Sequence, residues 1–236
     1  VDGNTANQPL VKKVIAAYLE KGDPSGWVEE LRSFRKGLPL QDVLPLLYAI
    51  VCGRIGNDFS RIVAGGRAWE VSLQLHMKLM EDPTAAKQVG FDLRRMVPSA
   101  FVKVPFTPHL PSCVFVARDL EREGIPVNFT STFSARQVVM CAVLANVSRT
   151  NVFMGRLDQG LEAEYVGAHV GLKAQRHLLD LREKAGIKTQ LIVATVCDRE
   201  KVFWIPQGVM CIPLPARSFK NFWIRQKPQR SRSPVN

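Results

Sequence analysis

The chain has 236 residues, of which 46% are hydrophobic and 22% charged, so core size is not limiting and the balance is that of an ordinary soluble globular protein. Its longest apolar stretch, Val43 to Cys52, is interrupted by Pro45 and falls far short of the roughly 20 residues of a membrane span. The five cysteines (Cys52, Cys113, Cys141, Cys197, Cys211) are odd in number, widely spread and without a Cys-x-x-Cys pair, which argues against a disulfide framework or zinc knuckle; the four histidines show no His-Glu-x-x-His spacing, and no metal site is expected.

Val1 is followed by Asp2-Gly3-Asn4-Thr5, with neither the basic start nor the apolar core of a signal peptide, so the chain is read as cytoplasmic. The first residues read as the end of a strand passing into a turn. Leu10 to Lys21 carries apolar residues at helical spacing and stops at Gly22. Asp23-Pro24-Ser25 caps a second helix through Trp27, Leu31 and Phe34, and Leu40 to Cys52 reads as a third. Gly65-Gly66 lacks the Gly-Lys-Ser/Thr ending of a phosphate loop and is a plain turn. Glu70 to Leu75 alternates polar with apolar and predicts a strand with Ser72 and Gln74 on one face.

A helix from Thr84 to Met96 leads to Ser99-Ala100-Phe101-Val102-Lys103-Val104-Pro105-Phe106-Thr107, an apolar β-type run with one ammonium group at its centre. Two readings are open for Lys103: an edge strand with the lysine in water, or a covered strand with the lysine buried for a purpose. A helix from about Pro111 to Gly124 follows, then Ile125 to Thr132, in which Asn128, Thr130 and Thr132 alternate with apolar neighbours and share one face. In a barrel of parallel strands that face points inward, where Lys103 of one strand meets Asn128 and Thr130 of the next. Ser134 to Ala145 is helical, Asn151 to Asp158 is strand-like, and Val166 to Ala185 is a long amphipathic helix closed by Gly186. Thr189 to Thr195 and Gly208 to Pro213 complete seven predicted strands. Their alternation with helices calls for parallel β/α units, and the length is close to that of a (β/α)8 barrel.

The net charge of +11 is uneven. Six basic residues and no acidic one fall between Arg217 and Asn236, leaving +5 for the rest. The chain thus divides into a barrel domain, residues 1–216, and a basic tail, residues 217–236, read as a solvated, disordered end rather than an RNA-binding arm. The +5 suits phosphorylated metabolites as well as polynucleotide.

The residues between Asp2 and about Pro215 resemble, in order, the transaldolases and fructose-6-phosphate aldolases. Asp2-Gly3-Asn4-Thr5-Ala6-Asn7-Gln8-Pro9-Leu10 is similar to the family's Thr-Thr-Asn-Pro strand end, with Asn7 at the substrate-binding asparagine. Val71 to Leu75 is similar to the third strand, and Phe101 to Thr107 to the fourth, whose lysine forms the Schiff base. Val127 to Gln137 resembles the fifth strand, and Phe153-Met154-Gly155-Arg156-Leu157-Asp158 the sixth, which brings a phosphate-binding arginine. Five such stretches in register are specific. The resemblance implies an eight-stranded parallel barrel, a cytosolic enzyme of sugar phosphates, and no metal or organic cofactor.

The departures are equally specific. The family's first strand, with its proton-transferring aspartate, would lie before Val1, the last helix is replaced by the basic tail, and Thr195-Val196-Cys197 stands where the family often reads Ser-Phe-Arg. A barrel lacking a strand has open edges that invite association, so a homo-oligomer or a marginally stable monomer is expected. Glutamine at position 74 resembles the aldolases and phenylalanine at 153 the transaldolases, which leaves transfer and simple cleavage both open.

The chemistry assigned to the residues follows. Lys103 is the nucleophile, because a primary amine turns a ketose carbonyl into an iminium ion that accepts the electrons of the breaking C–C bond. Thr130 and Gln74 hold a water that shuttles protons, Asn7 and Asn128 bind sugar hydroxyls, Phe153 walls the pocket, Arg156 offers a planar fork to phosphate, and Thr195 is a further substrate-binding residue. Three functional classes are carried forward: a Schiff-base transferase, a truncated and catalytically impaired relative, and, on the tail alone, a nucleic-acid-binding protein.

Overall fold

The computed structural model of the chain describes residues 3–5, 11–13, 16, 17, 20, 48, 51 and 70–195, the first three by backbone alone. Six strands lie in one parallel sheet in sequential order: β1 (Gly3–Thr5), β2 (Glu70–Gln74), β3 (Ala100–Pro105), β4 (Val127–Thr132), β5 (Arg149–Phe153) and β6 (Gln190–Ala194). Between them run a 3-10 turn at Met77–Glu81 and the helices α1 (Pro83–Met96), α2 (Ser112–Arg122), α3 (Ala135–Ala145), α4 (Met154–Leu161) and α5 (Val166–Ala185). Sequential parallel order requires a crossover between every pair, and from β2 onward the helices supply it.

Local sequence sets the helix limits. Asp82 Oδ1 accepts from the N–H groups of Thr84 and Ala85, with Pro83 at the first position of α1. Ser134 caps α3, and Gly186, at φ 66°, closes α5 where a side chain would be strained. The helical state of residues 11–13, 16, 17, 20, 48 and 51 agrees with two of the three early helices; the helix near Trp27, the strand at 208–213 and the domain boundary at 216/217 lie outside the described residues. Among the described residues no helix is long and apolar enough to cross a membrane.

The two faces of the sheet differ. Val71, Leu73, Val102, Val104, Val127 and Phe129 join Leu93, Val116, Leu120 and Cys141 of α1, α2 and α3 in one core cluster, while Val152, Leu191 and Val193 pack with α3, α4 and α5 in a second. Cys113 and Cys141 are buried free thiols. The opposite face is concave. Asn128 Nδ2 donates to Ser72 Oγ at 3.0 Å over the intervening strand β3, although β2 and β4 would stand roughly 9–10 Å apart in a flat sheet. Two short side chains close that gap only if the sheet curls toward them. Arg149 of β5 likewise reaches Glu70 of β2 at 2.5 Å across two intervening strands, its guanidinium 3.8 Å above the Phe101 ring.

Two sequence expectations are corrected. The strand predicted over Asn151 to Asp158 is Arg149–Phe153, and Met154 begins a helix that contains Arg156 and Asp158. Thr132 does not share the face of Asn128 and Thr130: Ser131 takes φ 64°, the register shifts between Phe129 and Thr132, and Thr132 pairs with Val152 while its hydroxyl donates to the Asn151 carbonyl. Asp158 is buried with Oδ1 accepting from Gly167 N at 2.8 Å, and so caps the first turn of α5.

Candidate active site

β3 lies between β2 and β4, so the edge-strand reading of Lys103 falls away. Register places Gln74 and Asn128 on either side of Lys103, with Thr130 beside Pro105. Lys103 is 5% exposed, its carbonyl accepts from Leu75 N at 2.9 Å, and its Nζ makes no hydrogen bond or ion pair with any described residue. Burial, and then the charge of Arg156, lower its pKa from 10.5 to about 8. Both act against the ammonium form, so the neutral amine is reached near physiological pH.

Around it stand polar groups that are buried yet unsatisfied. Asn128 uses its amide on Ser72, but its Oδ1 has no partner; the Thr130 hydroxyl has none either. Such groups cost about 1–3 kcal/mol each unless water or a ligand completes them. Gln74 is half-buried, and its backbone N–H donates to the Tyr48 hydroxyl at 3.1 Å. Sequence reasoning missed Asn151, 2% exposed with an unpartnered Oδ1 on the concave face of β5. The signal was available: Arg149, Asn151 and Phe153 alternate with Thr150 and Val152, and because Arg149 meets Phe101, Asn151 stands in the layer of Lys103 two residues further along. The Glu70–Arg149–Phe101 group forms the floor of this interior.

The opposite end, where the strands finish, is built from β4, β5 and β6. The Phe153 ring stacks on Phe133, centroids 5.8 Å apart at 27°, and the Arg156 guanidinium lies 5.2 Å from the Phe153 centroid. Arg156 itself is exposed. Thr195 ends β6 at φ 60°, a backbone state rarely taken by a β-branched residue. Its hydroxyl accepts from Gly155 N at 3.1 Å and donates to the Ala194 carbonyl at 2.7 Å. A Cβ on Gly155 would stand 2.2 Å from the Thr195 carbonyl oxygen, so glycine is required for this approach. Thr195 therefore holds the start of α4, and with it Arg156. Asn7 and Cys197 lie outside the described residues. Among the described residues no three His, Cys, Asp or Glu side chains gather as a metal-ligand set.

Chemistry and topology now meet a match in sequence: the profile of the family described as transaldolase/fructose-6-phosphate aldolase covers residues 1–229. The chain belongs to that family. A probable transaldolase of Nitrosopumilus maritimus is 28% identical over 198 residues, covering 83% of this chain and 65% of the relative. Another from Geobacillus thermodenitrificans is 28% identical over 140 residues, covering 59% of this chain and 57% of the relative. The chain thus spans less than two thirds of the length of these transaldolase relatives. The solved PaMucR phosphodiesterase in complex with c-di-GMP superposes with a TM-score of 0.50 at 10% identity, covering 76% of this chain and 74% of its own, a likeness of fold alone.

Proposed function

We propose that this member of the transaldolase family is a lysine Schiff-base enzyme, built on a (β/α)8 barrel, that moves a dihydroxyacetone unit between sugar phosphates. The observation that carries the reading is Lys103: a buried amine on a central strand, paired by none of the described residues, with its pKa brought down to about 8. The neutral amine adds to the ketose carbonyl, and the carbinolamine loses water to leave an iminium ion. Breaking C3–C4 then passes its electron pair into the iminium nitrogen, giving an enamine and releasing an aldehyde, and the reverse steps attach a second aldehyde.

Proton traffic falls to a water between Thr130, whose hydroxyl lacks a protein partner, and Gln74. Asn128, Asn151 and Asn7 bind the hydroxyls of the ketose, Phe153 walls the pocket, and Arg156 takes the phosphate, with Thr195 positioning its segment. Cleavage without transfer is the second reading, favoured by the glutamine at position 74.

Incubation with dihydroxyacetone or fructose 6-phosphate and borohydride tests the proposal. Irreversible labelling of Lys103, abolished in Lys103→Met, is expected. Labelling at a different lysine, or none in folded protein, sinks it.

A further inference from the structure

We propose that Phe133 is a positioning residue that fixes the Arg156 guanidinium at the mouth of the site; the inference rests on reading Arg156 as the phosphate holder. Phe133 is a large aromatic left 39% exposed directly after β4, yet its main chain is anchored. Its N–H donates to Gln137 Oε1 at 2.7 Å, while Gln137 N donates to the capping Ser134 Oγ at 3.2 Å. This reciprocal cap ties the Phe133 backbone to the first turn of α3 and so sets where the ring leaves the chain. The ring then stacks on Phe153, and Phe153 carries the Arg156 guanidinium on its own face.

Among the described residues the Phe153 ring is the only recorded partner of the Arg156 side chain. A free arginine samples many rotamers, and a planar stack removes part of that freedom before an anion arrives. The main chain on the other side of Arg156 is held as well, through Gly155 N and Thr195 Oγ1. Phe133 carries no charge and donates no bond to an anion. Its influence on phosphate binding therefore passes through geometry.

Two readouts follow. Phosphate affinity reports the guanidinium's place directly. The second is Lys103, whose charged surroundings among the described residues are Arg156 at the mouth and the Glu70–Arg149 pair on the floor, with neutral Ser72, Gln74, Asn128, Thr130 and Asn151 between. An Arg156 that swings away exerts less push on Lys103.

The test titrates inorganic phosphate into the full chain and its Phe133→Ala, Phe133→Tyr and Arg156→Ala variants, and follows borohydride trapping of unphosphorylated dihydroxyacetone against pH. Phe133→Ala should weaken phosphate about three- to tenfold. It should also move the trapping midpoint from about 8 toward 10.5, with full yield at high pH. Phe133→Tyr, which keeps the ring, should match the unsubstituted chain in both. If Arg156→Ala loses phosphate while Phe133→Ala binds it as the unsubstituted chain does, with an unmoved midpoint, Phe133 is packing only and the inference is overturned. If the unsubstituted chain binds phosphate but traps nothing, the Schiff-base reading fails, and the phosphate titrations still decide Phe133. Absence of phosphate binding to the unsubstituted chain overturns the assignment of Arg156 and this inference together.

Discussion

On the helix-covered face of the sheet, Val71, Leu73, Val102, Val104, Val127, Phe129, Val152, Leu191 and Val193 are at most 1% exposed; on the concave face of the same strands, Ser72, Lys103, Asn128, Thr130 and Asn151 are at most 5% exposed. The two sets are buried almost equally and differ in whether burial leaves anything unfinished. Aliphatic groups against α1, α2, α3 and α5 gain from leaving water and need no partner. The concave set is left with an amine that no described residue pairs and with the unpartnered Asn128 Oδ1, Thr130 Oγ1 and Asn151 Oδ1. One face supplies the stability that the other consumes, as expected where a fold carries strain for a reaction.

The largest test of that contrast is Phe129→Ala on the covered face. It should cost about 3–5 kcal/mol in urea unfolding while the remaining folded protein still labels at Lys103. A cost below about 1 kcal/mol would mean that this face is not the main source of stability.

Lys103→Met should act with the opposite sign. The folded-state pKa of about 8 lies below 10.5, so between those values the unfolded chain binds more protons than the folded one, and stability rises with pH. The penalty of the buried ammonium is full below pH 8 and vanishes above 10.5. Replacing it should stabilise the fold at pH 7 by on the order of 3 kcal/mol, an advantage that disappears by pH 11. Unfolding curves at the two pH values check it, and equal stabilities at pH 7 would place the amine in water.

Arg156→Ala, at the exposed rim, should change stability little, with a slight gain at pH 7 as its push on Lys103 is lost, and weaken fructose 6-phosphate relative to dihydroxyacetone by about 1.5–3 kcal/mol, read as the ratio of the two kcat/KM values. A small change in stability is likewise expected for Thr130→Val. It removes a hydroxyl that has no protein partner, so unfolding should shift by less than about 1 kcal/mol while turnover falls. A large loss of stability would reveal a partner for that hydroxyl.

Much of this contrast was legible in the sequence, because strict alternation in β2 and in the first half of β4 states which side chains share a face. The alternation through Asn128 and Thr130 led to the correct neighbours of Lys103. It failed at Thr132, since the positive φ of Ser131 is a backbone event with no glycine or asparagine to announce it. The run from Met154 to Asp158 looked extended because apolar Phe153, Met154 and Leu157 suit a strand; the helix there is imposed by backbone contacts with Thr195 and with α5, both distant in sequence. Resemblance to the family named Lys103 and Arg156, whereas the Phe133–Phe153 stack and the Glu70–Arg149 floor depend on side chains from different strands meeting across a curved surface.

The contact of Gly155 with the Thr195 carbonyl has a consequence for anyone reshaping substrate range by directed evolution. Position 155 offers no freedom, because even a methyl group would meet backbone oxygen at 2.2 Å and backbone cannot rotate aside. A library randomised across 153–156 should return glycine alone at 155 among folded clones. Effective diversity is therefore smaller than the codon count implies, and recombination that separates the β5–α4 junction from the end of β6 should break function more often than crossovers placed within α5.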